Sequence, residues 1–193
     1  MTLLRIMSDQ DSDTVLLATA DRAVIADRLV GLGITYEQWA ADQDLTEAAG
    51  SEEVLAAYRD DIDRLCTAGG YLLVDVARMR RTGDDPDWPT KAADARERFR
   101  EEHSHAEDEV RFFVEGRGCF YLHVNGRVHA VVCEAGDLLS VPAGTAHWFD
   151  MGAEPCFTTI RFFQKEDGWV ADFAPASIAA RFPDLDQIVA GQR

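Results

Sequence analysis

The stretch Phe99–Gly116, F-R-E-E-H-S-H-A-E-D-E-V-R-F-F-V-E-G, brings His103, His105 and Glu109 within seven residues of one another. Imidazole and carboxylate are common ligands of a divalent transition metal. A further candidate ligand, His147, falls in a second stretch, Gly136–Gly152, G-D-L-L-S-V-P-A-G-T-A-H-W-F-D-M-G. His103 and His105 are two apart, so on a β-strand they point to one face and can share an ion. On a straight strand Glu109 would lie about 20 Å from His103, at roughly 3.3 Å per residue. Metal–ligand bonds are only about 2 Å long. The chain is therefore expected to reverse at Ala106-Glu107-Asp108, a solvated acidic turn, with Glu109 opening the next antiparallel strand beside the histidines. Arg111 shares the face of Glu109 on that strand. Its cation points either to an anionic ligand at the site or to a salt bridge with Glu109. Glu102 has the opposite parity to the histidines and stays outside the ligand set.

The elements that must carry these residues can be read from pattern. From Phe99 onward the chain is a series of short strands separated by turn signals, as in a sandwich or barrel. The hairpin at Asn125-Gly126 allows two registers. A three-residue loop with left-handed Gly126 pairs Leu122 with Val128 and Phe120 with Ala130, which keeps apolar and polar faces apart. In that register His123 and His129 lie on the face opposite the core and are not ligands. Phe157 to Phe163 and Gly168 to Phe173 read as strands, and the tail with Ile178, Phe182 and Leu185 as a helical turn.

Before Phe99 the chain mixes helix and strand. Thr2 to Met7, Thr14 to Thr19, Ile34 to Trp39 and Tyr71 to Arg78 are strand-like. Asp21 to Leu32 is a helix with Ile25, Leu29 and Leu32 on one face. Ser51 is expected to cap a helix running to Gly69-Gly70, its stripe being Leu55, Tyr58, Ile62 and Leu65. Thr90 caps a short helix to about Arg98. No linker divides the chain, so residues 1–193 read as one domain, with a helix/strand shell over 1–98 and a barrel over 99–173.

Apolar residues make up 47% and charged residues 28% of the 193, as in a soluble globular protein. Acids exceed bases 35 to 19, a net charge of −16, with no basic stripe for nucleic acid or an anionic membrane. No apolar run approaches the ~20 residues of a membrane span. The amino terminus lacks the features of a signal peptide, so a cytoplasmic protein with reduced thiols at Cys66, Cys119, Cys133 and Cys156 is expected.

The two histidine stretches resemble the paired motifs of the cupin superfamily. The first matches H-x-H-x3-E-x6-G at His103, His105, Glu109 and Gly116, and the second G-x5-P-x-G-x2-H at Gly136, Pro142, Gly144 and His147. Glu97 and Met151 depart from the usual Gly and Asn, neither at a ligand position. Within cupins the chain is more similar to the acireductone dioxygenases of methionine salvage. The similarity is carried by E-H-S-H-A-E-D-E-V-R-F-F-V-E-G, G-D-L-L-S-V-P-A-G-T-A-H-W-F-D-M-G and G-W-V-A-D-F.

The resemblance implies a mainly β cupin barrel of jelly-roll type with peripheral helices. It implies one Fe(II) or Ni(II) ion per chain on His103, His105, Glu109 and His147. It further implies a small-molecule acireductone substrate, 1,2-dihydroxy-3-keto-5-methylthiopentene, and dioxygen, with Arg111 stabilising the bound enediolate. The Fe(II) form is expected to yield formate and 2-keto-4-methylthiobutyrate, and the Ni(II) form 3-methylthiopropionate, formate and carbon monoxide. Strand parity turns Phe99 and Phe149 toward the metal, as walls for the methylthio tail or as plain core. A monomer is expected, with no nucleic-acid or membrane partner. The alternatives are another metal-dependent cupin enzyme, a thiol dioxygenase or sugar isomerase, and a non-catalytic cupin that binds a small ligand.

Overall fold

The computed structural model describes residues 1–46, 49–165 and 168–191. The first half contributes β1 (Leu3–Ser8), β2 (Val15–Thr19), α1 (Arg22–Val30) and β3 (Thr35–Gln38). It continues with α2 (Ser51–Ala57), α3 (Arg59–Gly69), β4 (Leu73–Met79) and α4 (Trp88–Arg100). Then come β5 (His103–Ser104), β6 (Glu109–Val124), β7 (Arg127–Glu134), β8 (Asp137–Val141) and β9 (Ala146–Asp150). β10 (Phe157–Phe163), β11 (Asp172–Phe173), a 3-10 turn at Ala179–Arg181 and α5 (Leu185–Ala190) complete the chain. Among the described residues no helix is long and apolar enough to cross a membrane.

The strands form two antiparallel layers that share β6. One layer has the order β11-β5-β9-β6-β7-β1-β2, and the other β4-β10-β6-β8-β3. The sixteen-residue β6 pairs with β8 through Glu109–Phe112 and with β9 through Cys119–His123, so it passes from one layer to the other. The crossing falls near Gly116, at φ 72°, beside a register shift in the pairing with β10. A Cβ at Gly116 would collide with the Cys156 carbonyl, so only glycine allows this approach. This mainly β barrel with helices outside is the cupin architecture expected from the motifs. The first 98 residues also build sheet: β1 and β2 extend one layer, β3 and β4 the other.

Three apolar clusters hold the layers together. The interior contains Leu4, Ile6, Phe113, Phe120, Leu122, Val131 and Phe149, joined by Ile25 and Leu29 of α1. Outside one layer, Tyr121, Ala130 and Trp148 pack on Phe182, Leu185 and Ile188 of the carboxyl-terminal segment. Outside the other, Val110, Phe112 and Phe162 pack on Val54 of α2, Ile62 of α3 and Tyr58 at the break between them.

Several local expectations are corrected. The hairpin has the two-residue turn: Asn125 and Gly126 both have positive φ (54° and 70°), and Leu122 pairs with His129 and Val124 with Arg127. The segregation of faces misled because the carboxyl-terminal segment covers the outer face, so both faces of this ladder are apolar. The helix expected from Ser51 breaks at Tyr58, whose φ of −110° and ψ of 19° separate α2 from α3, and Gly50 rather than Ser51 holds the N-cap. The short helix expected from Thr90 is α4, which starts at Trp88 and runs through Phe99, a residue read from sequence as strand.

Candidate metal centre

His103, His105, Glu109 and His147 are all buried, and each offers a ligand atom within 4.8 Å of the others. They arrive from different elements. His103 lies on β5 and pairs directly with His147 on β9, so two imidazoles stand side by side on one layer. His105 follows in the reversal after β5. Glu109 opens β6 in the other layer, so it faces the histidines across the barrel mouth rather than pairing with their strand. Glu107, expected to be solvated, is buried in this reversal: it accepts from the backbone N–H groups of Gln164 and Lys165 and pairs with the Lys165 ammonium.

The hydrogen bonds of the rings decide what the centre can bind. The Nδ1 of His103 donates to the Glu101 carbonyl at 2.6 Å, that of His105 to Val170 at 2.9 Å, and that of His147 to Thr145 at 2.7 Å. A carbonyl oxygen only accepts, so each neutral ring carries its proton on Nδ1 and turns an Nε2 lone pair inward. The Nε2 atoms of His105 and His147 both lie 3.0 Å from Glu109 Oε2, itself an acceptor. Lone pairs converging on a carboxylate are unfavourable until a cation sits among them. The donor set thus fits a divalent metal, with the backbone carbonyls fixing ring orientation.

Charge agrees with this arrangement at Glu109 and His103, whereas His105 is drawn toward its protonated form by the neighbouring carboxylate. Burial pushes the Glu109 carboxyl up, but Arg111, His105 and His147 together outweigh it and hold it well below the usual carboxylate range. Burial lowers His103, partly countered by its bond to the Glu101 carbonyl. For His105 burial is outweighed by Glu109, and its pKa is raised. Arg111 Nε donates to Glu109 Oε1 at 2.8 Å, leaving Oε2 to the histidines. The salt bridge weighed from the sequence therefore exists. The guanidinium also sits 4.6 Å from the Phe149 ring centroid, 5.4 Å from those of Phe120 and Trp169, and 5.7 Å from Phe99.

A cavity of about 460 Å³ opens onto His103, His105, Glu109 and Arg111. Phe99 lines it from α4, and Phe149 lies buried under Arg111 outside the lining. Asp75, Arg161, Trp169 and Phe173 also line it, and none was assigned a role from the sequence. Asp75 grips Arg161 through two bonds of 2.8 and 2.6 Å. A charged residue inside the apolar run F-T-T-I-R-F-F was the available signal for Arg161. Trp169 stacks on His105 at 5.9 Å and donates from Nε1 to the Asp108 carbonyl.

His123 and His129 stay outside the centre, for different reasons. His123 lies on the outer face, against Glu102 and Asp9. His129, expected on that same face, pairs with Leu122 on the inner one and shares it with His147. It stands two strands from His147, about 10 Å at the usual strand spacing, beyond reach of a shared ion.

Two packed antiparallel layers with three imidazoles and a carboxylate meeting inside define a metal-binding cupin. The ARD/ARD′ family model matches residues 3–171, and the chain belongs to that family. It is 57% identical over 189 residues to acireductone dioxygenase 1 of Nocardia farcinica, covering 98% of this chain and 100% of that one. It is 48% identical to the acireductone dioxygenase of Saccharopolyspora erythraea over 192 residues, all of both chains. Among solved structures it resembles an acireductone dioxygenase from Bacillus anthracis with a cadmium ion in its active centre. The TM-score is 0.73 at 27% identity, over 90% of this chain and 98% of that one.

Proposed function

We propose that the chain is an acireductone dioxygenase of methionine salvage, cleaving 1,2-dihydroxy-3-keto-5-methylthiopentene with dioxygen as a monomer. One Fe(II) or Ni(II) ion is held by His103, His105, Glu109 and His147. The observation that carries this reading is the convergence of those four groups while every Nδ1 is committed to a backbone carbonyl. The relatives' names support the substrate class, an acireductone. Three imidazoles and a carboxylate suit either metal, and intrinsic affinity favours nickel. Bound there, such an ion would supply Lewis-acid activation of the enediolate toward dioxygen.

The chain's own residues do the rest. Arg111 spends Nε on Glu109, while among the described residues its two Nη nitrogens have no hydrogen-bond partner. They are available to the charge of the enediolate. Phe149 and Phe120 hold the guanidinium from below and keep water from it. Phe99, Phe163 and Phe173 give the cavity an apolar side for the methylthio tail.

The test strips the protein of metal, reloads it separately with Fe(II) and Ni(II), and supplies acireductone and dioxygen. Both forms should consume dioxygen and release formate. The iron form should give 2-keto-4-methylthiobutyrate, and only the nickel form 3-methylthiopropionate and carbon monoxide. Dioxygen consumption no faster than the metal-free control with either metal overturns the assignment.

A further inference from the structure

β5 carries a ligand on very little sheet. It is two residues long, with a single paired position on β9 and two on β11. So thin a ladder does not by itself fix a side chain to the few tenths of an ångström that a metal centre needs. The orientation of His103 depends further on the peptide before it, because its Nδ1 donates to the Glu101 carbonyl at 2.6 Å.

That peptide belongs equally to Glu102, whose every polar group is engaged. Its N–H donates to Ser177 Oγ at 3.2 Å, and its carbonyl accepts from Ala174 N at 2.9 Å. Its carboxylate is 4% exposed. One oxygen contacts His123 Nδ1 at 2.6 Å, and the other accepts from Ile178 N at 3.0 Å. A buried carboxylate is unfavourable unless fully bonded, and here both oxygens are bonded to separate elements of the fold. It points away from the ion's ligands, which excludes it from the ligand set.

We infer that Glu102 is a positioning residue for the metal centre. Its clamped carboxylate fixes the Glu101–Glu102 peptide, and that peptide's carbonyl sets the proton and the angle of the His103 ring. The clamp spans β5, β6 through His123, and the 174–178 segment, and supplies the rigidity that a two-residue strand lacks. The inference rests on the metal centre proposed above.

The test titrates the metal-free full chain with Ni(II) by calorimetry and records the visible spectrum of the Co(II)-loaded protein. Wild type should bind one Ni(II). Failure to do so overturns the metal centre itself. Glu102→Ala should bind Ni(II) roughly 10- to 100-fold more weakly, the usual loss when a group orienting a ligand is removed, with an altered Co(II) spectrum. Glu102→Gln should recover most of the affinity, since the amide can accept from Ile178 and donate to His123. Asp137→Asn disturbs a buried carboxylate held by Thr2, Tyr36 and Glu134 away from the centre, and should stay within about twofold of wild type. Where Glu102→Ala does not fold, His123→Ala decides, with an expected loss of roughly 3- to 10-fold. Wild-type affinity in Glu102→Ala, or in His123→Ala where that variant decides, overturns the inference.

Discussion

Arg111 and Arg161 stand directly opposite each other across the β6–β10 ladder, two guanidiniums on one cavity wall. Like charges so placed repel. Each is offset by its own carboxylate, Glu109 for Arg111 and Asp75 for Arg161. The two pairs differ in one respect: Glu109 also belongs to the proposed ligand set, so Arg111 and a bound metal would share one counter-charge.

This sharing makes the effect of Arg111→Ala depend on metal. In the metal-free protein it leaves a buried carboxylate with fewer cations, a loss of about 3–5 kcal/mol. With Ni(II) bound, the ion carries Glu109 and the loss should be smaller. Urea unfolding of both proteins with and without Ni(II) measures the difference, and equal losses would refute the shared counter-charge. Arg111→Lys restores charge without the planar fork, and turnover should stay below roughly a tenth of wild type.

Alanine at His103, His105, Glu109 or His147 should each weaken Ni(II) binding by more than about 100-fold, beyond the effect expected of an orienting group. His129→Ala should leave it near wild type, although that ring lies on the same face. Full metal content in dialysed His147→Ala would rule out the four-ligand centre.

The glycines of the two motifs should differ in tolerance. Gly116→Ala drives a methyl into the Cys156 carbonyl at a positive φ and should abolish soluble folded protein. Gly144 has φ 75° and open space around its Cβ position, so Gly144→Ala should lose only about 1 kcal/mol through backbone strain. Thermal unfolding of the pair checks this, and similar losses would mean that the close approach at Gly116 is not what holds β6 between the layers.

Asp150 gives a stability change with a defined sign. Burial raises its pKa, but Arg96 and the Leu185 and Gly152 N–H groups outweigh it, and the folded value lies below the ordinary 3.8. Its contribution is therefore present above about pH 3.8 and is lost as pH falls through the depressed folded value. Asp150→Asn should lose about 1.5–3 kcal/mol at pH 7, the range for a hydrogen bond to a charged group, and unfold with a flatter acid limb. Denaturation series between pH 3 and 7 compare the two, and parallel acid limbs would remove Asp150 from the account.

Much of this protein is determined along the chain. The alternation of His103 and His105, the need for a reversal before Glu109, and the glycines flanking the motifs follow from strand period and backbone sterics, which act over a few residues. So do the helix at Asp21–Leu32, the strand at Phe157–Phe163 and the parity that sets Glu102 apart. The tertiary structure decided everything that depends on what covers a face. The hairpin register at Asn125-Gly126 could not be read from polarity, because Phe182, Leu185 and Ile188, some sixty residues later, bury the second face of that ladder. His129 changed faces for the same reason. Arg161 and Asp75 reached the cavity only because β4 and β10 pair beside β6, and Glu109 met the histidines from the opposite layer. A local pattern states which way a side chain can point. Which strand lies next to it, and whether water or another segment lies beyond, is set by long-range packing that no short stretch of sequence encodes.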